Sequence, residues 1–118
     1  MIAHIVLFNS KKEVSASDRR SFALQIRDVC RAIPAVKAAR VGRSISVNAG
    51  YERSFGEKTY EFAAILDFER QEDLIAYLQH PLHHELGRLF WLYCESTIVV
   101  EVEVADAKSD EVLDLLAE

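Results

Sequence analysis

The sequence predicts an α+β fold in which a four-stranded antiparallel sheet carries its helices on one face. The chain has 118 residues, the length of one domain, and half of them are hydrophobic, which is enough for a core without disulfides or a metal. Short apolar, β-branched runs typical of strands are separated by segments with apolar residues at helical spacing. Their order along the chain is strand, helix, strand, strand, helix, helix, strand.

The first strand is predicted over residues 3–8, almost at the start of the chain. Because side chains alternate along a strand, His4, Val6 and Phe8 face one side and Ile5 and Leu7 the other. Both faces are apolar apart from His4, whereas one layer of helices covers only one of them.

The first helix is predicted to begin near Ser15, where capping hydroxyls precede an early acid, and to stop at Pro34. A second strand is predicted over residues 36–47, and a polar, glycine-containing loop over residues 48–58. The apolar residues of the helix follow one stripe, namely Phe22, Ile26, Val29, Cys30 and Ile33.

A third strand over residues 60–68 is predicted to bear one aromatic-rich face that includes Phe62. A helix over residues 69–79 turns Leu74, Tyr77 and Leu78 inward. Since proline suits the first turn of a helix, a further helix is predicted from His80 to residue 93. Its expected buried stripe is Leu82, Leu86, Leu89, Phe90 and Tyr93.

The fourth strand, over residues 97–104, completes a domain of residues 1–104 with the ferredoxin-like order of elements. Residues 105–118 form a C-terminal extension, and apolar residues at helical spacing over 109–118 predict a short packed helix. An apolar sheet face left uncovered by helices is an association surface. We therefore expect a two-fold homodimer in which two sheets pack face to face and close a barrel.

The amino-acid composition argues against nucleic-acid binding and against a membrane span. The net charge is −5 and argues against nucleic-acid binding, which needs clustered Lys and Arg. No apolar run approaches the ~20 residues of a membrane span. Cys30 and Cys94 fall in helical patterns, so without a signal peptide they are interpreted as reduced core residues of a cytoplasmic protein.

Three of the four histidines lie within five positions, at His80, His83 and His84, around Pro81. Histidine titrates near neutral pH and binds metals, so the cluster is a candidate site. A metal site is one alternative, since His80 and His84 are four residues apart. Because Pro81 puts His80 at or before the helix start, the two need not share a face, and no further ligand completes a set. We expect no metal and no cofactor.

Several motifs together resemble the stress-responsive α/β-barrel domain, the dimeric α+β barrel known as Dabb. The resemblance covers about residues 1–104. It lies in four segments: Met1-Ile-Ala-His4-Ile-Val-Leu-Phe8, Ile33-Pro34-Ala-Val36, Val41-Gly42 and Tyr77-x-x-His80-Pro81-x-His83. The family implies a homodimer of ferredoxin-like subunits that forms a barrel with a small-molecule pocket.

One branch of this family, the plant polyketide cyclases, carries out a cofactor-free aldol condensation with a His and a Tyr in the pocket. These residues match His83 and Tyr77, and the resemblance also brings His4 and His80 to the pocket as ligand-binding residues. The chain departs from the cyclases at Phe62, where they have a further pocket His. It departs again at Asn9 and in the extension beyond residue 105.

Three functions remain open from the sequence. The first is a small-molecule-binding stress protein whose barrel takes an apolar or carbonyl-containing ligand, with His4, Phe62 and His80 at the ligand. The second is a cofactor-independent lyase or cyclase with His83 as general base and Tyr77 as polarising group. The third is an interaction module whose dimer surface and tail recruit a protein partner. The structural alternatives are packing at the helix junction for Tyr77 and His83, a helix cap for His80, and a hydrogen-bonded core position for His4.

Overall fold

The computed structural model describes residues 1–55 and 59–117 and has the predicted sheet. Four strands form it, namely β1 (Ile2–Ser10), β2 (Ala38–Arg43), β3 (Phe62–Phe68) and β4 (Cys94–Glu103). All neighbours are antiparallel and the order across the sheet is β2-β3-β1-β4. This order confirms the ferredoxin-like fold. The second strand is shorter than predicted, since it ends at residue 43 rather than 47.

Five helices accompany the sheet: α1 (Ala16–Ala32), α2 (Tyr51–Phe55), α3 (Gln71–Gln79), α4 (Pro81–Tyr93) and α5 (Glu111–Ala117). Ser15 caps α1 as predicted, because its Oγ accepts the Asp18 N–H at 3.1 Å. The short helix α2 lies within the segment predicted as a loop, so that prediction is wrong over residues 51–55. The last part of the predicted loop, residues 56–58, lies outside the described residues.

The helices cover the sheet face that carries His4, Val6 and Phe8. The register places Val6 between Ala64 of β3 and Val99 of β4, so the three side chains share this face. Aromatic rings fill one end of the core, where Phe8 contacts Phe22, Phe62 and Phe90.

The opposite face of the sheet is apolar, and none of the helices in the described part of the chain lies on it. Leu7 pairs with Ala63 and Ile98, and Ile5 with Ile65 and Val100, so these side chains form one patch. Ile98 and Val100 are 38% and 45% exposed. The apolar second face predicted from the sequence is therefore present, and it is the face of Ile5 and Leu7.

Three sequence predictions about packing are wrong in this chain. Leu82, expected in the buried stripe of α4, is exposed. Cys94 begins β4 instead of lying in a helix, although it and Cys30 are both free thiols. The extension forms the helix α5, but none of its residues is buried, so it is not packed.

The helices of the described residues are at most 17 residues long, fewer than the ~20 needed to span a bilayer. Over residues 1–55 and 59–117, none combines the length and the apolar character that crossing a membrane requires.

Candidate functional site

A cavity of about 570 Å³ lies between the sheet and the helices of a single chain. The sequence predicted a ligand pocket inside the barrel of a dimer, whereas this cavity is on the helix side of the sheet. Its sheet wall consists of residues from β1, β3 and β4 that point towards the helices: His4, Val6, Ala64, Leu66, Thr97, Val99 and Glu101.

The helical wall of the cavity is mostly apolar. Its polar members are Tyr77 at the end of α3 and His83 in the first turn of α4, with Glu95 at the start of β4. The remaining lining comes from α1, α3 and α4, namely Ile26, Cys30, Leu78, Leu86, Gly87, Phe90 and Trp91. A largely apolar cavity with a few converging polar groups is typical of small-molecule sites.

The sharp junction between α3 and α4 brings Tyr77 and His83 together. His80 ends α3 and caps α4, because its Nδ1 accepts the Leu82 N–H at 3.1 Å and Pro81 occupies the first helical position. The chain therefore turns within two residues. As a result the rings of Tyr77 and His83 meet edge-on, with centroids 4.7 Å apart.

The His83 imidazole is held in one tautomer. Its Nδ1 lies 3.1 Å from the carbonyl oxygen of Leu78, an acceptor, so Nδ1 carries the proton and Nε2 keeps its lone pair. Burial lowers the pKa of His83, and the nearby His4 lowers it further, against an opposing contribution from the Leu78 hydrogen bond. The ring is therefore neutral at physiological pH, and Nε2 is a base.

Tyr77 is the most enclosed polar residue at the cavity, with 3% of its surface exposed. Burial raises its pKa above the ordinary range of tyrosine, so the hydroxyl keeps its proton. Among the described residues the hydroxyl has no protein hydrogen-bond partner, while every fully buried side-chain oxygen or nitrogen there has one, so the Tyr77 oxygen is not fully enclosed and borders the cavity. It is therefore available as a donor within the cavity.

His4 joins these two residues from the sheet side. Its ring is 5.8 Å from that of Tyr77, and its Nδ1 lies 2.8 Å from Oε1 of Glu101. A carboxylate accepts at this distance, so Nδ1 of His4 donates. The structure thus brings three of the five predicted site residues, His4, Tyr77 and His83, to one cavity.

The other two predicted site residues lie elsewhere. Phe62 packs against Phe8, with ring centroids 5.4 Å apart, and is not part of the cavity lining. His80 makes the helix cap and is not in the lining either. Their ligand-binding roles gain no support from this cavity. His84 is exposed, as expected for its position on the helix.

Two cavity residues are not apparent from the sequence. Glu101 alternates with the valines of β4, which is also the pattern of a solvated strand face, and its contact with His4 depends on the register between strands. Trp91 borders the cavity although 86% of its surface is exposed. The available signal is a histidine in β1 together with the two acids of β4, Glu101 and Glu103, and only the strand register selects Glu101.

Within residues 1–55 and 59–117, no three His, Cys, Asp or Glu side chains come together in an arrangement that could hold a metal ion. The pair His80 and His84 therefore finds no third ligand in this part of the chain.

The fold and the cavity define a class of proteins, the ferredoxin-like α+β domains with an apolar second sheet face. The model of the stress responsive A/B barrel domain matches residues 2–104. The chain belongs to this family, Dabb, as the motifs around His4 and His83 suggested. No curated protein matches the chain.

Solved structures of similar fold come from plants and bacteria. A protein of Arabidopsis thaliana is 20% identical, with a TM-score of 0.77 over 91% of this chain and 98% of that one. A hydroxynitrile lyase from Passiflora edulis is 19% identical, with a TM-score of 0.76 over 90% and 94%. A protein from Thermobifida fusca, described as dimeric, ferredoxin-like and of unknown function, is 22% identical, with a TM-score of 0.70 over 87% and 90%. At these identities the likeness concerns the fold.

Proposed function

We propose that the protein binds a small, apolar, carbonyl-containing molecule in the cavity between its sheet and helices. The observation that carries the proposal is the convergence of His4, Tyr77 and His83 on an otherwise apolar space of about 570 Å³. Ligand sites span roughly 300–1,000 Å³ and combine apolar walls with a few oriented polar groups. The protonated Tyr77 hydroxyl suits a carbonyl oxygen, and the apolar walls suit the rest of such a ligand.

The proposal includes a homodimer that forms through the open sheet face. The patch of Ile5, Leu7, Ile65, Ile98 and Val100 is apolar and carries no helix. Solved neighbours of the same fold are described as dimeric, which supports self-association. A role in a stress response, which the family description suggests, and a cytoplasmic location belong to the same proposal.

Binding can be tested with the protein's single tryptophan, Trp91, which lies exposed at the cavity. Aryl ketones and aldehydes such as acetophenone and benzaldehyde would be titrated while Trp91 fluorescence is followed. We expect a saturable change for the wild type and binding at least tenfold weaker in Gly87→Leu, whose side chain would extend into the cavity. A response that is linear in ligand, or one equal in the two proteins, would rule out binding at this site.

Catalysis by proton transfer is the second candidate, and the hydrogen bond from His83 Nδ1 to Leu78 favours it. With Nδ1 so occupied, Nε2 of His83 can remove a proton from the carbon beside a carbonyl group. The proton moves to Nε2, the electron pair of the C–H bond forms a carbon–carbon double bond, and the π pair of the carbonyl group moves onto its oxygen. The Tyr77 hydroxyl donates a hydrogen bond to the resulting enolate. Carbon–carbon bond formation or cleavage of the aldol type would proceed from this state.

The exchange of acetophenone methyl protons for deuterium in D₂O tests this step without a known substrate. NMR should show faster exchange with the wild type than with His83→Gln, and Tyr77→Phe should be intermediate. Because one solved neighbour is a hydroxynitrile lyase, mandelonitrile cleavage to benzaldehyde is a second assay. If His83→Gln matches the wild type in both assays, the catalytic proposal is wrong. Ligand binding is tested separately, by the fluorescence titration.

A further inference from the structure

The helix α5 has an apolar side that is largely exposed among the described residues. Leu113 and Leu116 are 63% and 82% exposed, and no residue of α5 is buried. Val112 and Leu116 are four residues apart and Leu113 lies beside them, so they form one face, with Asp114 on the other side. A helix of this length is unstable alone in water, so such a face is expected to have a partner.

A groove of about 510 Å³ lies between α1 and the edge strand β2, away from α5. Its floor is apolar and includes Ile26, Val36 and Val41. All six residues of β2 are exposed, so the helices leave this end of the sheet uncovered. Three basic side chains, Arg27, Arg31 and Lys37, line the groove as well.

We propose that α5 of each chain docks into the α1–β2 groove of a second copy. The two surfaces are complementary, since α5 combines a leucine face with the acids Glu111 and Asp114 and the groove combines an apolar floor with basic residues. The ion pairs that the basic residues already form do not prevent this docking. Arg27 pairs with Asp28 and Lys37 with Glu69 in exposed contacts, which contribute little and exchange readily.

The geometry of the dimer favours the second copy over the same chain. In one chain, β4, which leads to α5, and β2, which borders the groove, are opposite edges of the sheet. In the proposed barrel, the two-fold axis runs along the barrel axis. Around the barrel, the strands β2-β3-β1-β4 of one copy are therefore followed by β2-β3-β1-β4 of the partner. The β4 edge of each copy then adjoins the β2 edge of the other. The inference that α5 reaches the groove of a second copy rests on the proposed dimer.

Docking would also connect the partner to the ligand cavity. Ile26 and Cys30 of α1 line both the groove and the cavity, so they separate the two spaces. A partner helix in the groove packs behind this wall and limits its movement. The ligand site of one copy is thereby supported by the C-terminal helix of the other.

Cross-linking tests the contact because the groove contains a native cysteine, Cys30. In a Cys94→Ala background, Leu113→Cys places a thiol on the apolar face of α5, and Asp114→Cys places one on the opposite face as the matched control. Mild oxidation at about pH 9 offsets the raised pKa that burial gives Cys30. The expected product is a dimer-mass band from Leu113→Cys that Asp114→Cys does not give and that Cys30→Ser abolishes.

The other possible results of cross-linking and sedimentation each overturn a different part of the proposal. A Cys30-dependent cross-link within one chain, seen as a fast-migrating monomer band, overturns docking on a second copy. Equal cross-linking of the two α5 variants overturns the docked orientation. Absence of a cross-link in a protein that sediments as a dimer overturns the groove contact and leaves the dimer proposal intact. Sedimentation as a monomer at all concentrations overturns both.

Hydrogen exchange of the unmodified protein gives a second measurement that does not depend on a variant. A free helix of seven residues exchanges its amides rapidly, whereas a docked one is protected. Protection of residues 111–117 should appear at concentrations where the protein is dimeric and disappear on dilution. Rapid exchange of these amides in the dimer would contradict the proposal.

Discussion

The ring of Tyr77 meets the imidazole of His83 edge-on, at a centroid distance of 4.7 Å, although the two belong to different helices. Phe68 also packs against Tyr77, with ring centroids 5.4 Å apart, and the Leu78 carbonyl accepts a hydrogen bond from Nδ1 of His83. Both rings are therefore fixed before any ligand enters. A ligand that uses them need not order them, which favours affinity.

The Tyr77 hydroxyl can be removed without removing the ring. In Tyr77→Phe the packing against Phe68 and His83 stays, so we expect a free energy of unfolding within about 1 kcal/mol of the wild type. Because one neutral hydrogen bond contributes about 0.5–1.5 kcal/mol, the affinity for acetophenone should fall by a factor of up to about ten. Denaturant unfolding and the Trp91 titration measure the two effects. Unchanged affinity would show that the hydroxyl does not contact the carbonyl.

The lowered pKa of His83 predicts a dependence of stability on pH. The unfolded imidazole has a pKa of about 6.5, and burial makes the folded value lower. Between these two values the unfolded state binds more protons, so the free energy of unfolding falls as pH decreases from about 7 through the folded pKa and levels off below it. NMR titration of the ring and denaturation of the wild type and His83→Gln check this.

The comparison with His83→Gln is needed because the chain contains three other histidines, which both proteins share. The difference in unfolding free energy between the two proteins should vary with pH, with the wild type losing more stability at acid pH. A difference that is independent of pH would show that the His83 imidazole has the same pKa in both states.

Local signals in the sequence predicted most of the fold. Ser15 and Pro34 mark the ends of α1, and Pro81 marks the start of α4, because a cap and a proline act on the backbone beside them. The site was only partly predictable. Tyr77 and His83 are neighbours along the chain, whereas Glu101 reaches His4 across 97 positions, through a strand register that no local pattern specifies.

Gly87 offers a way to change the cavity without disturbing the core. A Cβ built at this position meets no atom within 4 Å, so α4 has room for a side chain there. Gly87→Ala should therefore stabilise the fold by about 0.5–1 kcal/mol, since alanine is the better helix former. Gly87→Leu should extend into the cavity and weaken acetophenone binding at least tenfold. Destabilisation by both substitutions would mean that the space is filled in solution.

His80 is predicted to act through the helix cap and not through the ligand. His80→Ala removes the acceptor for the Leu82 N–H, which should lower the free energy of unfolding by about 1 kcal/mol. His80→Asn keeps a side-chain acceptor and should restore most of that loss. Acetophenone affinity should be equal in the wild type and His80→Asn. A weaker affinity in a fully stable His80→Asn would instead support the ligand-binding role predicted from the sequence.

The contact between His4 and Glu101 is predicted to hold the sheet side of the cavity in place. His4 is 5% exposed, so Glu101→Ala leaves its Nδ1–H without the carboxylate acceptor, at a cost of about 1–3 kcal/mol. In His4→Phe the polar ring is absent, and adding Glu101→Ala to this variant should cost much less. A double-mutant cycle by denaturant unfolding measures the coupling, which should be at least about 0.5 kcal/mol for residues in direct contact. Additive losses would show that the 2.8 Å contact makes no net contribution, and the orientation of His4 would then depend on its packing against Tyr77.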